Sequence, residues 1–259
     1  MSNTTLFNTV ARAYADFRPT YPEALYDWLA AEAPARHLAW DCACGSGQAT
    51  LGLAERFEQV IATDGSAAQI AAARPHPRVQ YRVATAEDSG LPSGQFDLIT
   101  VAQALHWFDL ERFCAEVQRV GRPGALFAVW LYLPPRLADP VANARLVEFY
   151  RDIVGPWWPP ERRHVESGYA TLALPLPEVA APPFALTTEW TLAQIAGYAR
   201  SWSATARYRK EHGEDPVPWL ERALAPCFAA PEARLRMDWP LRVRAARLPT
   251  HRDRFKKAT

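Results

Sequence analysis

Residues 41–47 read Asp-Cys-Ala-Cys-Gly-Ser-Gly, an acid followed by side chains small enough for a ligand to approach the backbone closely. The apolar run 38–40 precedes them and a helical pattern follows from Gln48. The carboxylate of Asp41 would repel a pyrophosphate, but it can accept, directly or through water, from an ammonium group. The segment therefore favours a ligand that carries a positive charge, although two glycines also suit a purely structural turn.

A second acid, Asp64, ends the next apolar run, 60–63. A carboxylate at this place can accept from both hydroxyls of a ribose, a role found in several classes of nucleotide-binding enzyme, or it can cap the following helix. After the third run, Ala84 to Asp88 supply small side chains for contact with an adenine ring. Thr85 or Glu87 could accept from the exocyclic amine, and a solvated acidic turn is the alternative interpretation.

Apolar runs and helical patterns alternate around these segments, which predicts parallel strands joined by helices. Strands are predicted at 38–40, 60–63, 79–83, 96–102 and 125–131, and helices at 21–33, 48–57, 67–74 and 109–120. With two later strands, the prediction is an α/β, Rossmann-like, mostly parallel seven-stranded sheet with helices on both faces. Ser66 is the predicted N-cap of the helix at 67–74.

Prolines concentrate in 133–183 and predict a lid insertion that interrupts the regular fold. Beyond it the pattern predicts strands at 184–190 and 235–246 and helices at 192–208 and 217–228. We expect one domain over 1–259, divided into cap helices, a cofactor-binding core, the lid, and C-terminal strands with a substrate cap. These four segments are 1–35, 36–131, 132–183 and 184–259.

The overall composition excludes several classes of protein. A net charge of +1 and the lack of a basic stripe among aromatics argue against a nucleic-acid partner. No apolar stretch reaches about 18 residues, and the start lacks the pattern of a signal peptide, so we expect a cytoplasmic protein without a membrane partner. Four cysteines predict free thiols, and the Cys42–Cys44 pair has no second pair with which to hold a metal.

The residues taken together resemble the class I S-adenosylmethionine-dependent methyltransferases, and more closely the methyltransferase type 11 group that includes trans-aconitate methyltransferase-like proteins. The resemblance rests on the segments 14–22, 41–47, 64–66, 86–87 and 101–109, of which the last is the most specific. The family's loop usually has three glycines, and here Ala43 replaces the first. An acidic residue is also common where this chain has Thr85.

The resemblance implies that S-adenosylmethionine is the cofactor and that the N-terminal segment folds over it. Arg18 would then pair with the methionine carboxylate, whereas an exposed arginine on a helix is the alternative. The cofactor-binding residues that the resemblance implies are Tyr14, Arg18, Asp41, Ala43, Gly45, Gly47, Asp64, Gly65, Ala86, Glu87 and Gln103.

Methyl transfer from a sulfonium is an in-line displacement, so the protein mainly aligns a nucleophile and excludes water. We expect a small-molecule acceptor that is methylated on a carboxylate or hydroxyl oxygen or on a ring nitrogen. His106, at the end of the fourth strand, is the candidate base for a hydroxyl or amine, while a carboxylate needs none. Tyr21, Trp107 and Trp202 are the candidate substrate contacts.

Two other functions fit parts of the pattern. A cofactor-binding regulatory protein without turnover would explain the departures at Ala43 and Thr85. A nicotinamide-dependent oxidoreductase would use a similar glycine loop, but Asp41 opposes it, and Thr50 stands where that loop has its third small residue.

Overall fold

The computed structural model describes residues 21–250, and the alternation of helices and strands predicted from the sequence is present in it. The elements of the first half are α1 (Glu23–Glu32), β1 (Leu38–Cys42), α2 (Gln48–Ala54), β2 (Gln59–Asp64), α3 (Ala67–Ala71), β3 (Val79–Val83), β4 (Phe96–Ala102), α4 (Leu110–Val120) and β5 (Gly121–Tyr132). The later elements are β6 (Arg136–Leu137), α5 (Pro140–Glu148), α6 (Arg162–Glu166), β7 (Glu178–Val179), β8 (Phe184–Trp190), α7 (Leu192–Arg200), α8 (Ser203–His212), α9 (Val217–Leu224) and β9 (Leu235–Arg247).

The described chain forms two compact units. The core unit comprises 21–131, 167–184 and 241–250, and the helical unit comprises 132–166 and 185–240. Strand β9 begins in the helical unit and ends in the core unit. The prediction of one domain with four segments remains a prediction.

Five parallel strands of the core unit lie in the order β3-β2-β1-β4-β5, with the end of β9 beside β5. This order confirms the predicted Rossmann-like, mostly parallel sheet. The seven predicted strands are all present, and β6 and β7, two residues each, pair with β9 in addition. Strand β1 lies between β2 and β4, so the order in which the chain adds strands to the sheet reverses at β1. Open α/β sheets bind ligands at the carboxyl ends of the strands that flank such a reversal.

The central strands are buried on both faces. Residues 39–42 of β1, 96–101 of β4 and 124–132 of β5 are all buried, which explains their nearly continuous apolar sequences. The four cysteines are free thiols. Within residues 21–250 no helix has both the length and the apolar character needed to cross a membrane.

The prediction of a single helix at 192–208 is wrong, because the structure has two helices there, α7 and α8. The Ser201 hydroxyl donates to the Tyr198 carbonyl over 2.6 Å, and the Thr205 hydroxyl donates to the Ala199 carbonyl over 2.7 Å. The same two carbonyls accept from the backbone N–H groups of Ser201 and Trp202, three residues along, so the helix ends in a tighter turn and does not continue. Trp202 takes an extended conformation at the break and is buried.

The proline-rich segment is more regular than its composition predicts, because α5, a π-helical turn at Phe149–Ile153 and α6 fall inside it. Asp139 caps α5 by accepting from the backbone N–H of Ala142 over 2.7 Å, and Pro140 occupies the first turn. The predicted helix at 217–228 is α9 followed by a 3-10 turn at Ala225–Cys227.

Helix α2 leads out of the candidate loop and packs against α1 through a glycine. A Cβ atom at Gly52 would overlap the ring of the buried Tyr26. We therefore expect Gly52→Ala to lower the free energy of unfolding by about 1–3 kcal/mol, because overpacking outweighs alanine's better helix propensity. Urea denaturation measures the change. Gly65→Ala is the control, since a Cβ there meets nothing within 4 Å, and an equal loss in both variants would contradict the packing argument.

Candidate functional site

The loop between β1 and α2 turns through left-handed backbone conformations at alternate residues. Ala43, Gly45 and Gly47 have φ angles of 54°, 56° and 89°. A Cβ at Gly47 would lie 2.5 Å from the hydroxyl oxygen of Tyr81, so only glycine fits there. The nearest atom to a Cβ at Gly45 is 3.9 Å away. The loop therefore presents bare backbone at Gly45 and is closely packed at Gly47.

The carboxylate of Asp41 lies at the tip of β1 and is 0% exposed. Its Oδ2 accepts from the Thr50 hydroxyl over 2.6 Å, and its Oδ1 accepts from the Thr100 hydroxyl over 3.0 Å. Burial raises the pKa of Asp41 to about 6, and the two hydroxyl bonds only partly oppose that shift. Sequence reasoning missed this role for both threonines, although polar residues within buried apolar runs are a usable signal.

Asp64 at the tip of β2 anchors the loop from the neighbouring strand. Its Oδ2 accepts from the backbone N–H of Gly45 over 2.9 Å, and its Oδ1 accepts from that of Ser66 over 2.8 Å. Burial raises the pKa of the carboxyl group, and the two N–H bonds oppose the shift. Each oxygen keeps a free lone pair. Gly65 beside it faces open space, and the Ser66 side chain caps α3, as predicted.

The segment after β3 holds the predicted adenine contacts. Ala86 is buried, and Glu87 is half-buried with its Oε1 accepting from the backbone N–H of Asp109 over 2.9 Å. The hydroxyl of Thr85 is exposed and lies 3.4 Å from the carbonyl of Asp88. Both side chains therefore already have partners within the protein, and Ala86 offers only its small apolar surface.

Gln103 follows β4 in a strained conformation and carries an unsatisfied polar group. Its φ of 64° is left-handed, and its backbone N–H donates to the Trp130 carbonyl over 2.9 Å. Its side-chain Nε2 is buried and has no hydrogen-bond partner among residues 21–250. A buried donor left unpaired costs about 1–3 kcal/mol, so this amide is suited to an acceptor that the protein itself does not supply.

His106 lies in a 3-10 turn, Leu105–Trp107, four residues beyond Ala102 at the end of β4. Its Nδ1 is 2.9 Å from the hydroxyl oxygen of Tyr169, and its ring centroid is 4.5 Å from that of Trp107. Tyr169 is buried and has a φ of 62°. Sequence reasoning missed this contact, because nothing local links Tyr169 to a histidine 63 positions earlier.

Arg244 fixes the turn that presents Tyr169. Its Nη1 donates to the carbonyls of Tyr169 and Leu172 over 2.7 Å and 2.6 Å. Its Nη2 pairs with the carboxylate of Glu178, and this pairing lowers the pKa of that carboxyl group. The carboxylate thus holds the guanidinium against both carbonyls, so the turn that carries Tyr169 is fixed in the core unit.

The remaining predicted site residues fall in different places. Tyr14 and Arg18 lie outside the described residues. Tyr21 is buried in the core unit, edge-on to Trp130 with ring centroids 5.6 Å apart. Trp202 belongs to the helical unit, where its indole is buried among other aromatic rings. Among residues 21–250, no group of three or more histidine, cysteine and acidic side chains could hold a metal ion.

Comparison with known proteins identifies a methyltransferase domain over residues 40–129, which spans β1 to β5 and the loop between β1 and α2. A Dictyostelium discoideum protein assigned as a methyltransferase is 33% identical over 226 residues, covering 86% of each chain. A Saccharomyces cerevisiae protein assigned as an S-adenosylmethionine-dependent methyltransferase is 30% identical over 135 residues, covering 49% of this chain and 46% of its own.

Among solved structures, a protein from Anaeromyxobacter dehalogenans assigned as a type II methyltransferase is similar over nearly its whole length. It is 50% identical, with a TM-score of 0.86, and the match covers 91% of this chain and 100% of the other. The similarity therefore extends through both units and well beyond the methyltransferase domain at residues 40–129.

The raised pKa of Asp41 has a consequence for stability. Because the folded-state pKa lies above the ordinary value, Asp41 contributes stability that is complete below that value and is lost as pH rises through about 6. Asp41→Asn removes this dependence, and we expect it to be more stable than wild type at pH 8, by about 2 kcal/mol. At pH 5 the difference in the free energy of unfolding between the variant and wild type should be smaller by about 1 kcal/mol.

Urea denaturation at the two pH values measures this difference. Asp152→Asn is the matched control, because that side chain is exposed. A variant that is less stable than wild type by the same amount at both pH values would show that the ionised carboxylate stabilises the fold.

Proposed function

Because this chain belongs to the class I S-adenosylmethionine-dependent methyltransferases, we propose that it methylates a small molecule on a carboxylate oxygen, a hydroxyl oxygen or a ring nitrogen. The proposal includes a cytoplasmic location and a single functional domain. The observation that carries it is the buried, unpaired side-chain Nε2 of Gln103, directly after β4. Strand β4 pairs with β1, and β1 leads into the glycine loop.

S-adenosylmethionine is the cofactor of this family, and the residues present fit it. The ligand brings carboxylate and ribose oxygens, and it brings positive charge on its ammonium and sulfonium groups. The chain offers a buried donor at Gln103, two acids at Asp41 and Asp64, and an approach to bare backbone at Gly45. The charges and hydrogen-bonding groups of the chain are thus complementary to those that the cofactor would bring.

We assign the acids different tasks. Asp64 accepts from the ribose hydroxyls with the lone pairs that Gly45 and Ser66 leave free, and Gly65 leaves room beside it. Asp41 is too deeply buried for direct contact and acts as a fixed negative charge behind the loop, favouring the cationic methionine end. The structural alternative for Asp41 is an anchor for α2 alone.

Other residues complete the proposed cofactor site. The backbone of Ala43 and Gly47 shapes the loop, and Ala86 provides a small surface for the adenine ring. Glu87 contributes through the oxygen that Asp109 does not engage. Tyr14 and Arg18 are proposed to close the site, and Tyr21 and Trp107 are proposed to contact the substrate. The assignment of Trp202 to the substrate stays a prediction from the sequence.

The bound cofactor supplies a methyl group on an electrophilic sulfonium. The chain must hold the acceptor in line and, for a hydroxyl, remove a proton. His106 can accept that proton at Nε2 only if Nδ1 carries the hydrogen. With this tautomer Nδ1–H donates to the hydroxyl oxygen of Tyr169, at the observed 2.9 Å. Tyr169 is therefore a proposed positioning residue, and His106 is the proposed catalytic base.

The two other functions are less well supported. A regulatory protein without turnover would need the cofactor loop but not the His106–Tyr169 pair. A nicotinamide-dependent oxidoreductase would place a pyrophosphate beside the buried negative charge of Asp41, which is unfavourable. Titration calorimetry with S-adenosylmethionine and with NAD separates the cofactor classes, and binding of neither would overturn the proposal.

Gln103→Met tests the cofactor site, because methionine matches glutamine in length and removes the polar amide. We expect the free energy of unfolding to rise by about 1 kcal/mol and S-adenosylmethionine affinity to fall by about 1–3 kcal/mol. Denaturation and titration calorimetry measure the two effects. The matched control is Gln95→Met at an exposed position. Unchanged affinity in Gln103→Met would remove Gln103 from the site.

His106→Asn tests the base, because the asparagine amide can replace Nδ1 toward Tyr169 but has no equivalent of a basic Nε2. Acceptors are first found by screening hydroxyl, carboxylate and ring-nitrogen compounds for release of S-adenosylhomocysteine. With a hydroxyl acceptor, we expect kcat to fall by about 100-fold or more. With a carboxylate acceptor, which needs no base, kcat should change little.

Tyr169→Phe should lower kcat with a hydroxyl acceptor by about 10-fold and change kcat with a carboxylate acceptor little. The loss is smaller than in His106→Asn because the variant removes only the group that orients the base. Tyr208→Phe, on α8, is the control. A merely structural role for Tyr169 would slow both acceptor classes equally. Full hydroxyl methylation by His106→Asn would show that His106 is not the base.

A further inference from the structure

A cavity of about 730 Å³ lies within the helical unit, and none of its lining residues belongs to the proposed cofactor site or to the His106–Tyr169 pair. Its walls come from one continuous stretch, 133–166, which includes β6, α5, the π-helical turn and α6. The volume falls within the range of pockets that hold small organic ligands. Leu133, Leu146 and Trp158 give the cavity an apolar wall.

The charged side chains around this cavity are mostly of one sign. Four arginines line it, and the acid among its lining residues is Glu166. Arg136, Arg151 and Arg163 have no ion pair or side-chain hydrogen bond within residues 21–250. The chain as a whole carries a net charge of only +1. Three of the four arginines around this cavity thus have no such partner, and positive charge concentrated in this way raises the local concentration of anions.

The fourth arginine, Arg162, is held in place by the cavity's aromatic residues. Its Nε donates to the Tyr150 hydroxyl over 2.9 Å, and that hydroxyl donates to Glu166 Oε1 over 3.0 Å. Its guanidinium carbon lies 4.3 Å from the ring centroid of Trp158. The bond to Tyr150 uses only Nε, so the two Nη groups remain free to bind a carboxylate or phosphate in a fork.

We propose that this cavity is a second ligand site, for an organic anion with at least two acidic groups. Arg162 provides a fixed, stacked guanidinium, and Arg151 and Arg163 provide exposed ones for a further acidic group. The apolar wall accommodates a carbon skeleton. The shared chemistry is closely spaced negative charge, from carboxylates or from phosphates.

Titration calorimetry of the full chain tests this site with citrate and with inorganic pyrophosphate, at constant ionic strength in chloride. The test variant is Arg151→Gln with Arg163→Gln, which changes two exposed arginines that have no side-chain partners. Arg74→Gln with Arg222→Gln removes the same charge at exposed positions elsewhere and is the control. We expect at least tenfold weaker binding in the test variant and less than twofold change in the control.

Binding of citrate alone supports a polycarboxylate ligand, binding of pyrophosphate alone supports a phosphate ligand, and binding of both supports recognition of charge spacing. Binding of neither, or equal weakening in both double variants, would overturn the proposal. The titrations contain no S-adenosylmethionine and measure no turnover, so their failure is distinct from failure of the proposed methyl transfer.

Discussion

The burial of a carboxylate at the tip of β1 determines how the rest of the site is built. An ionised group without a cationic partner costs several kcal/mol to bury unless hydrogen bonds satisfy it. Asp41 obtains those bonds from Thr50 on α2 and Thr100 on β4, so both elements are held against one strand end. The intervening loop must then reach α2 in a few residues, which requires the left-handed turns at Ala43, Gly45 and Gly47. The position of the helix and the bare backbone of the loop thus follow from satisfying one charge.

Backbone strain in the described chain is concentrated in the same unit. The residues other than glycine with positive φ within 21–250 are Ala43, Gln103 and Tyr169. Each such conformation costs on the order of 1–2 kcal/mol, and it persists only where surrounding contacts hold it. Ala43 begins the loop, Gln103 carries the unpaired amide, and Tyr169 touches His106. Strain, an unsatisfied donor and a buried charge therefore coincide around the proposed cofactor and base, where binding a ligand can offset their cost.

Much of the core unit could be predicted from the sequence, because the physical causes there are local. Burial along both faces gives β4 a nearly continuous apolar run, and its bounds are those that the sequence predicts. The bounds of β3 are predicted equally well, although that strand is only partly buried. The break between α7 and α8 depends on burying Trp202 among rings from distant segments, and helical periodicity alone does not show it. The contact of Tyr169 with His106 likewise depends on Arg244, which is farther still along the chain. Prolines in 133–183 predicted an interruption, whereas the helices that form there make a cavity.

The two proposed sites also show why net charge is a poor guide to the ligands of this protein. The core unit places the acids Asp41 and Asp64 where a cationic cofactor end and a ribose would bind. The helical unit surrounds its cavity with arginines that have few acidic partners. The two sets of charges have opposite sign, and neither shows in the net charge of +1, which is the difference between 29 basic and 28 acidic residues over the whole chain. Fields that act on small ligands depend on the nearest few charges, because salt screens exposed charges beyond about 10 Å. A nearly neutral chain can therefore hold one site selective for cations and another selective for anions, and the placement of each charge in the fold determines which ligand it attracts.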